Sequence, residues 1–152
     1  MKTLAKDFRM VWIAAVTAAL FSAGCSMAGM KDSDTAAATS GASLTGAQEV
    51  PPTPTRASGK STITVGSDKT VTGEVSISGV NATAAHIHEG AKGVNGPVIV
   101  PLAKSSDTTF TVPPNTQLTD SQYANYVAGN LYVNVHSAAH PGGEIRTQLS
   151  AK

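Results

Sequence analysis

The four histidines of this 152-residue chain fall in two short segments, and imidazole nitrogen is a common ligand for transition metals. His86 and His88 lie in AAHIHEGAKGVNGP, and His136 and His140 lie in NVHSAAHPGGEIR. Side chains two residues apart on a strand project from the same face, so His86 and His88 are placed to share one ion. We therefore predict a metal site formed by His86, His88, His136 and His140.

The other residue types restrict which metal suits such a site. The only cysteine is Cys25, close to the N-terminus, and no methionine follows Met30. A site of nitrogen ligands without sulfur favours Cu(II) or Zn(II) over Cu(I), and Cu(II) has the higher intrinsic affinity. The prediction is therefore Cu(II), with Zn(II) as the second choice. A blue-copper centre is excluded because it requires a cysteine thiolate.

The same two segments also suit a network of hydrogen bonds with no metal in it. In that interpretation polar side chains fix the loop after His88 to the final hairpin, and they are Glu89, Asn95, Asn134, Glu144 and Arg146. In the metal interpretation Glu89, Asn134 and Glu144 support the ligands, while Arg146 steers an anion towards the ion. The sequence leaves both interpretations open.

Composition and motifs exclude several classes of function. The formal net charge is +1 and only 14% of residues are charged, with no cluster of lysine and arginine, which argues against a nucleic acid partner. No serine lies in a G-x-S-x-G motif, and the region after the linker has no thiol nucleophile. The pattern therefore favours a binding protein over an enzyme.

The first 24 residues predict an export signal rather than a part of the fold. A basic start is followed by MVWIAAVTAALF, an apolar run too short for a comfortable membrane span. The run ends in FSAGCS, which resembles a lipobox, where a bacterial signal peptidase cleaves before a diacylated cysteine. The alternative is an ordinary signal peptide that leaves a free thiol.

A lipobox implies that Cys25 carries acyl chains such as palmitate and anchors the protein to a membrane. Residues 25–43 are small and polar and predict a flexible linker. Ser26 follows the cysteine, a pattern that resembles lipoproteins sorted to the outer membrane. We therefore expect a bacterial envelope protein on the periplasmic face of the outer membrane, with an unknown envelope protein as partner.

Residues 44–152 predict one all-β domain, an antiparallel sandwich or barrel with one short helix. Alternating runs separated by glycine and proline predict strands within 58–65, 70–80, 83–89, 97–102, 107–112, 131–137 and 144–150. In the run LYVNVHS, alternation turns Leu131, Val133 and Val135 to one side and Tyr132, Asn134 and His136 to the other. Thr119 and Gln122 form a capping-box pattern at the start of the predicted helix.

Four motifs occur in the order LTGAQEVPP, AAHIHEGAKGVNGPVIVPL, LTDSQYANYVAGNLYVNVHS and HPGGEIRTQL. Together they resemble the CHRD domain, first described in chordin, an extracellular antagonist of bone morphogenetic proteins, and found also in bacterial exported proteins. The resemblance implies an immunoglobulin-like all-β fold outside the cytoplasm, and it implies no particular activity. The HIHE motif is also similar to the copper-binding strand of Cu/Zn superoxide dismutases.

Two functional hypotheses follow. The first is a non-catalytic, membrane-anchored binding module that holds a partner or a metal ion on its histidine-bearing face. The second is a mononuclear copper protein with redox or superoxide dismutase-like activity, with His86, His88 and His136 as ligands. Convergence of those three rings is the structural feature that a metal site requires.

Overall fold

Runs of alternating polar and apolar residues become strands throughout residues 41–151, the part of the chain that the computed structural model describes. Within this part the strands are β1 (Ala42–Thr45), β2 (Ser58–Ser61), β3 (Thr64–Val65), β4 (Val71–Thr72), β5 (Glu74–Ser78), β6 (Ala82–Glu89), β7 (Val98–Pro101), β8 (Ala103–Ser106), β9 (Thr109–Thr111), β10 (Leu131–Ser137) and β11 (Ile145–Leu149). A 3-10 helix (Gly46–Gln48) and the helix α1 (Asp120–Val127) complete the described elements.

Nine strands form one antiparallel sheet in the order β7-β6-β10-β11-β1-β2-β5-β9-β8. The two edge strands, β7 and β8, are separated along the chain only by Leu102, whose N–H donates to the Ala85 carbonyl at 2.9 Å. The chain therefore passes directly from one edge strand to the other, and the sheet curls into a nearly closed barrel. This confirms the predicted all-β antiparallel fold with one helix.

The apolar faces of the strands form the core. Leu131, Val133 and Val135 of β10 are at most 1% exposed and pack with Ile87 of β6 and Ile145 of β11 in one hydrophobic cluster. Tyr132, Asn134 and His136 alternate with them and lie on the opposite face of the sheet. The predicted orientation of both faces of β10 is confirmed, and the polar face is the one that concerns function.

The predicted hairpin between residues 58–65 and 70–80 is confirmed, with one difference. Each arm is split in two, so that β2 pairs with β5 and β3 pairs with β4 as a separate two-stranded sheet. At the interruption the Thr62 hydroxyl accepts from the backbone N–H of Glu74 at 3.1 Å. This side-chain bond adds to a backbone bond from the Thr62 N–H to the Glu74 carbonyl, and alternation alone does not predict it.

Strand β1 begins at Ala42, two residues before the predicted start of the domain at residue 44. Ala42 and Ser43 pair with Ser61 and Lys60 of β2, so these residues belong to the sheet. The predicted export signal, Cys25 and most of the predicted linker lie outside the described residues. Strand β8 and the 3-10 helix also carry no clear sequence pattern and were not predicted.

Helix α1 begins as its capping box predicts. The Thr119 hydroxyl accepts from the Gln122 backbone N–H at 3.2 Å, and the Gln122 side chain accepts from the Thr119 N–H at 2.9 Å. The exposed Lys69–Asp120 ion pair, at 2.7 Å, ties the first turn to the turn before β4. As for membrane insertion, residues 41–151 contain no helix with the length and apolar character needed to cross a bilayer.

Candidate metal centre

Three histidines converge on the polar face of the sheet where β6 and β10 pair. The register places His86 opposite Asn134 and His88 opposite Tyr132, so the side chains of His86, His88 and His136 emerge on the same side. One ligand nitrogen from each of the three rings can be chosen so that all lie within 4.8 Å of one another. Nδ1 of His86 lies 3.0 Å from Nε2 of His136. This is a cluster that can hold a metal ion.

Backbone carbonyls fix which nitrogen of two rings carries the hydrogen. Nδ1 of His88 donates to the Gly96 carbonyl at 2.9 Å, and Nδ1 of His136 donates to the Pro141 carbonyl at 2.9 Å. A carbonyl oxygen only accepts, so in the neutral rings Nε2 is left with its lone pair. Metal-binding histidines are commonly oriented by a hydrogen bond of this kind from the other ring nitrogen.

The surroundings keep the three imidazoles neutral. Burial lowers the pKa of His86, His88 and His136, and for His86 the neighbouring His136 and His88 lower the pKa further. The Gly96 and Pro141 carbonyls partly offset this for His88 and His136. A ring with a lowered pKa binds protons less tightly, so its nitrogen lone pair is available to a cation. The cluster is therefore ready to act as a ligand set near neutral pH.

Nε2 of His88 is buried and has no hydrogen-bond partner within residues 41–151. A buried acceptor without a partner costs about 1–3 kcal/mol, and native proteins contain few of them. A cation bound at this nitrogen would remove that cost. The unpartnered atom thus supports a ligand role for His88 independently of the distances between the rings.

His140, predicted as a further ligand, does not join the cluster. It lies in the turn after β10, where its backbone N–H donates to the Ser137 hydroxyl at 3.2 Å and its carbonyl accepts from Gly143 at 3.1 Å. Its ring lines a groove of about 540 Å³ beside Glu49 and Asn95 instead. The four-histidine prediction is therefore corrected to three, because the turn carries His140 away from the strand face.

Arg146, predicted to steer an anion, is buried. It is 1% exposed, its guanidinium lies 3.3 Å from the centre of the Tyr132 ring, and it donates to Asn95 Oδ1 at 3.1 Å and to the Val94 carbonyl at 3.0 Å. A further hydrogen bond reaches the Ala91 carbonyl. With its hydrogen bonds directed into the loop, Arg146 is not available to guide an ion from solvent, so that role is corrected to a structural one.

The loop after β6 covers the polar face, as the hydrogen-bond interpretation predicts. Besides Arg146, the Tyr132 hydroxyl accepts from the Gly96 N–H at 3.1 Å, and Asn95 donates to the Val50 carbonyl at 2.7 Å. A Cβ on Gly96 would overlap the Glu89 carbonyl, so only glycine allows the loop to fold back here. The network and the histidine cluster coexist, and the two interpretations of the sequence are not alternatives.

The two predicted supporting acids lie elsewhere. Glu89 pairs with Leu131 across β6 and β10 and accepts from Asn125 of α1 at 3.0 Å. Glu144 accepts from the Thr55 hydroxyl at 2.7 Å, which anchors the segment before β2. Neither carboxylate supports a histidine, because alternation turns Glu89 to the other face and Thr55 binds Glu144. That part of the prediction is corrected.

The acid that does lie at this face is Glu49, which the sequence interpretation missed. It is 5% exposed, and desolvation raises its pKa to about 7, although Arg146 and Asn134 act in the opposite direction. A Cβ built on Gly143 would lie 2.6 Å from Nδ2 of Asn134 and 2.7 Å from Oε1 of Glu49. Glu49 therefore sits beside Asn134, and its place in the motif LTGAQEVPP was the only available signal.

Comparison with known proteins identifies one family. The CHRD domain matches residues 40–149, which is most of the chain and includes Glu49 and all three clustered histidines. No curated protein and no solved structure matches the chain. The match thus supplies a family, while the chemistry of the site rests on the geometry described above.

Proposed function

The chain belongs to the CHRD domain family, and we propose that it is a binding module whose polar face holds one divalent metal ion. The observation that carries this proposal is the convergence of His86, His88 and His136, with ligand nitrogens within 4.8 Å of one another. Support also comes from the hydrogen bonds that direct Nε2 of His88 and His136 away from the backbone.

Cu(II) is the metal we propose first, and Zn(II) second. The three clustered ligands are imidazoles, and sulfur ligands are absent from residues 41–151 because that region contains neither cysteine nor methionine. Imidazole suits both ions, and Cu(II) binds a given nitrogen site more tightly in the Irving–Williams order. Nitrogens that share an ion at about 2 Å lie at most about 4 Å apart, so rings whose nitrogens are up to 4.8 Å apart must close by about 1 Å when the ion binds.

We further propose that the protein is exported and anchored by acyl chains on Cys25, at the periplasmic face of the outer membrane. The support is the sequence of the first 26 residues, with its basic start, short apolar run and lipobox-like FSAGCS. In that setting the partner, beyond the metal and the membrane, is another envelope protein and not a nucleic acid, given the formal net charge of +1.

A copper redox or superoxide dismutase-like activity is the second candidate. One observation favours it, since His86 is only half-buried and leaves that side of the cluster nearer to solvent than His88 or His136. The loss of Arg146 as a guide for anions weakens it. Catalysis therefore ranks below binding.

The test uses the full chain, stripped of metal by a chelator and titrated with Cu(II) or Zn(II). We expect one ion per chain, and for Cu(II) an EPR spectrum with nitrogen hyperfine structure that disappears in the double variant His86→Ala, His88→Ala. His140→Ala is the matched control and should bind as the parent does. A parent chain that binds no ion at micromolar concentration contradicts the proposal. Superoxide turnover by the copper-loaded chain would favour the second candidate.

A further inference from the structure

Three polar atoms on this face are buried and have no hydrogen-bond partner among the residues that the structure describes. They are Oδ1 of Asn134, Oε1 of Glu49 and Nε2 of His88. The three side chains that carry these atoms are neighbours, because Asn134 lies against both the Glu49 carboxylate and the His88 imidazole. Three unpartnered polar atoms in adjoining side chains point to something that binds between them.

The position of Asn134 on β10 brings it to the histidine cluster. It lies opposite His86 in the β6–β10 pair and two residues before His136, on the same face of the strand. The three imidazole rings surround this position, with centroids 4.8 to 5.9 Å apart. Asn134 is 2% exposed, so its amide has no access to bulk water.

Glu49 determines which end of the amide faces the histidines. A Cβ on Gly143 would lie 2.6 Å from Nδ2 of Asn134 and 2.7 and 2.8 Å from the two oxygens of Glu49, so the amide nitrogen and the carboxylate flank one point. The N–H groups of an amide attract a carboxylate and its oxygen repels one. With Nδ2 directed at Glu49, Oδ1 is the atom left for the histidine side.

Oδ1 of Asn134 and Nε2 of His88 are both acceptors, since Nδ1 of His88 already carries the hydrogen donated to Gly96. Two buried lone pairs in neighbouring side chains repel each other unless a cation or a donor lies between them. A divalent cation satisfies both at once, and Cu(II) accepts a mixed set of nitrogen and oxygen ligands.

We propose that Oδ1 of Asn134 is the fourth ligand of the ion held by His86, His88 and His136, and that Glu49 is the positioning residue that orients it. The inference rests on the proposed metal site and specifies its ligand set as three nitrogens and one oxygen. When ionised, the carboxylate of Glu49 also supplies a buried negative charge on this face, which the neutral histidines do not. The face already carries the Arg146 cation, so this charge matters for holding a divalent ion.

The first experiment measures Zn(II) affinity of the full chain by competition with a chromophoric chelator. Asn134→Leu keeps the size of the side chain and removes the oxygen, and we expect affinity to fall about 10- to 100-fold. Gln148→Leu is the matched control: it is polar, on the same face, and bonded to the Gly90 and Gly129 carbonyls. Its affinity should stay within about threefold of the parent.

The second experiment needs no variant that risks misfolding. In the 15N-labelled parent, Zn(II) should shift the side-chain amide resonance of Asn134 strongly. The resonances of Asn125 in α1 and of Asn130, just before β10, should shift little. In Glu49→Gln that shift should be lost and affinity should fall about tenfold, because a glutamine amide no longer fixes Nδ2 towards itself. An unaltered shift and affinity in Glu49→Gln would overturn the positioning role.

The three-histidine metal site and the fourth ligand can be disproved separately. If the parent binds Zn(II) but its Asn134 resonance does not move, and Asn134→Leu binds as the parent does, the fourth-ligand assignment is wrong while the three-histidine site stands. If the parent binds neither Zn(II) nor Cu(II), the proposed function is wrong and the fourth-ligand assignment falls with it.

Discussion

Nδ1 of His86 and Nε2 of His136 lie 3.0 Å apart, although the two residues are 50 positions apart in the chain. Neither ring reaches the other through a loop, because both project from the β6–β10 pair. The relationship therefore depends on strand pairing and persists as long as that pairing does. Two rings held this way form a preformed pair that could bind one ion.

Because His136 lies on strand β10 and His140 lies in the turn after it, the two histidines should affect metal binding differently. We expect His136→Ala to lower Cu(II) or Zn(II) affinity at least about 100-fold, since one of three imidazole ligands is lost. His140→Ala should change affinity less than about threefold. Equal losses in both variants, measured by isothermal titration calorimetry, would show that His140 is a ligand after all.

The raised pKa of Glu49 makes stability depend on pH in a defined direction. Its folded-state pKa of about 7 lies above the ordinary 4.5, so between these values the folded chain keeps a proton that the unfolded chain has released. This contribution to stability is present below pH 4.5 and is lost as pH rises through 7. The histidines act oppositely, since their lowered pKa values add stability as pH rises towards 6.5.

Glu49→Gln separates the contribution of the carboxylate to the pH dependence of stability from that of the histidines. Relative to the parent, the variant should gain about 2–3 kcal/mol of unfolding free energy between pH 5 and pH 8, because the histidine contribution is common to both. The measurement is urea unfolding in the presence of a metal chelator. Glu74→Gln, at an exposed carboxylate, is the matched control. A difference between Glu49→Gln and the parent that stays constant with pH would rule out a buried, proton-binding Glu49.

Gly143 and Gly142 form a matched pair for testing the contact between Asn134 and Glu49. A Cβ on Gly143, whose φ is +135°, would lie under 3 Å from both side chains, whereas a Cβ on Gly142 would have nothing within 4 Å. We expect Gly143→Ala to destabilise the protein by about 2–3 kcal/mol and to weaken metal binding. Gly142→Ala should change neither by a measurable amount. Thermal unfolding and Zn(II) titration check both expectations.

We expect removal of the Arg146 guanidinium to destabilise the loop after β6 more than it weakens metal binding. Arg146→Met leaves Asn95 and two loop carbonyls without their buried donor, and we expect a loss of about 3 kcal/mol in unfolding free energy. Arg56→Met, at an exposed arginine, is the control and should cost less than about 0.5 kcal/mol. If the two variants are equally stable in urea, the loop is held by other contacts.

The proposed membrane anchor on Cys25 can be tested separately. We expect Cys25→Ala to move the protein from the membrane fraction to the soluble fraction and to abolish labelling by a fatty-acid analogue. Ser26→Ala, which keeps the cysteine, should remain labelled and membrane-bound. Labelling that survives in Cys25→Ala would show that the acyl chain, or the anchor, is elsewhere.

The sequence predicted the histidine cluster because its geometry is local to each strand. Alternation places His86 and His88 on one face, and it places His136 with Tyr132 and Asn134 on the polar side of β10. Both inferences need only the period of a strand. The prediction failed at His140, because the direction of a turn depends on backbone angles that a residue pattern does not contain.

Glu49 and Arg146 show a second feature that the residue pattern could not predict. The burial of Arg146 depends on a loop 50 residues earlier folding over it, and the role of Glu49 depends on an irregular segment reaching Asn134. Neither segment has a period that fixes the direction of its side chains. Polar residues brought together by irregular segments are therefore the part of the site that only the folded structure reveals.

The register between β6 and β10 determines whether the three histidines lie on the same face. A slip of one residue would turn Tyr132, Asn134 and His136 towards the interior and Leu131, Val133 and Val135 outwards. The slipped chain would retain His86 and His88 as neighbours but would have lost the third imidazole, so it would hold an ion more weakly. If the proposed site holds an ion, retention of that ion would distinguish correctly aligned molecules from misaligned ones of identical sequence.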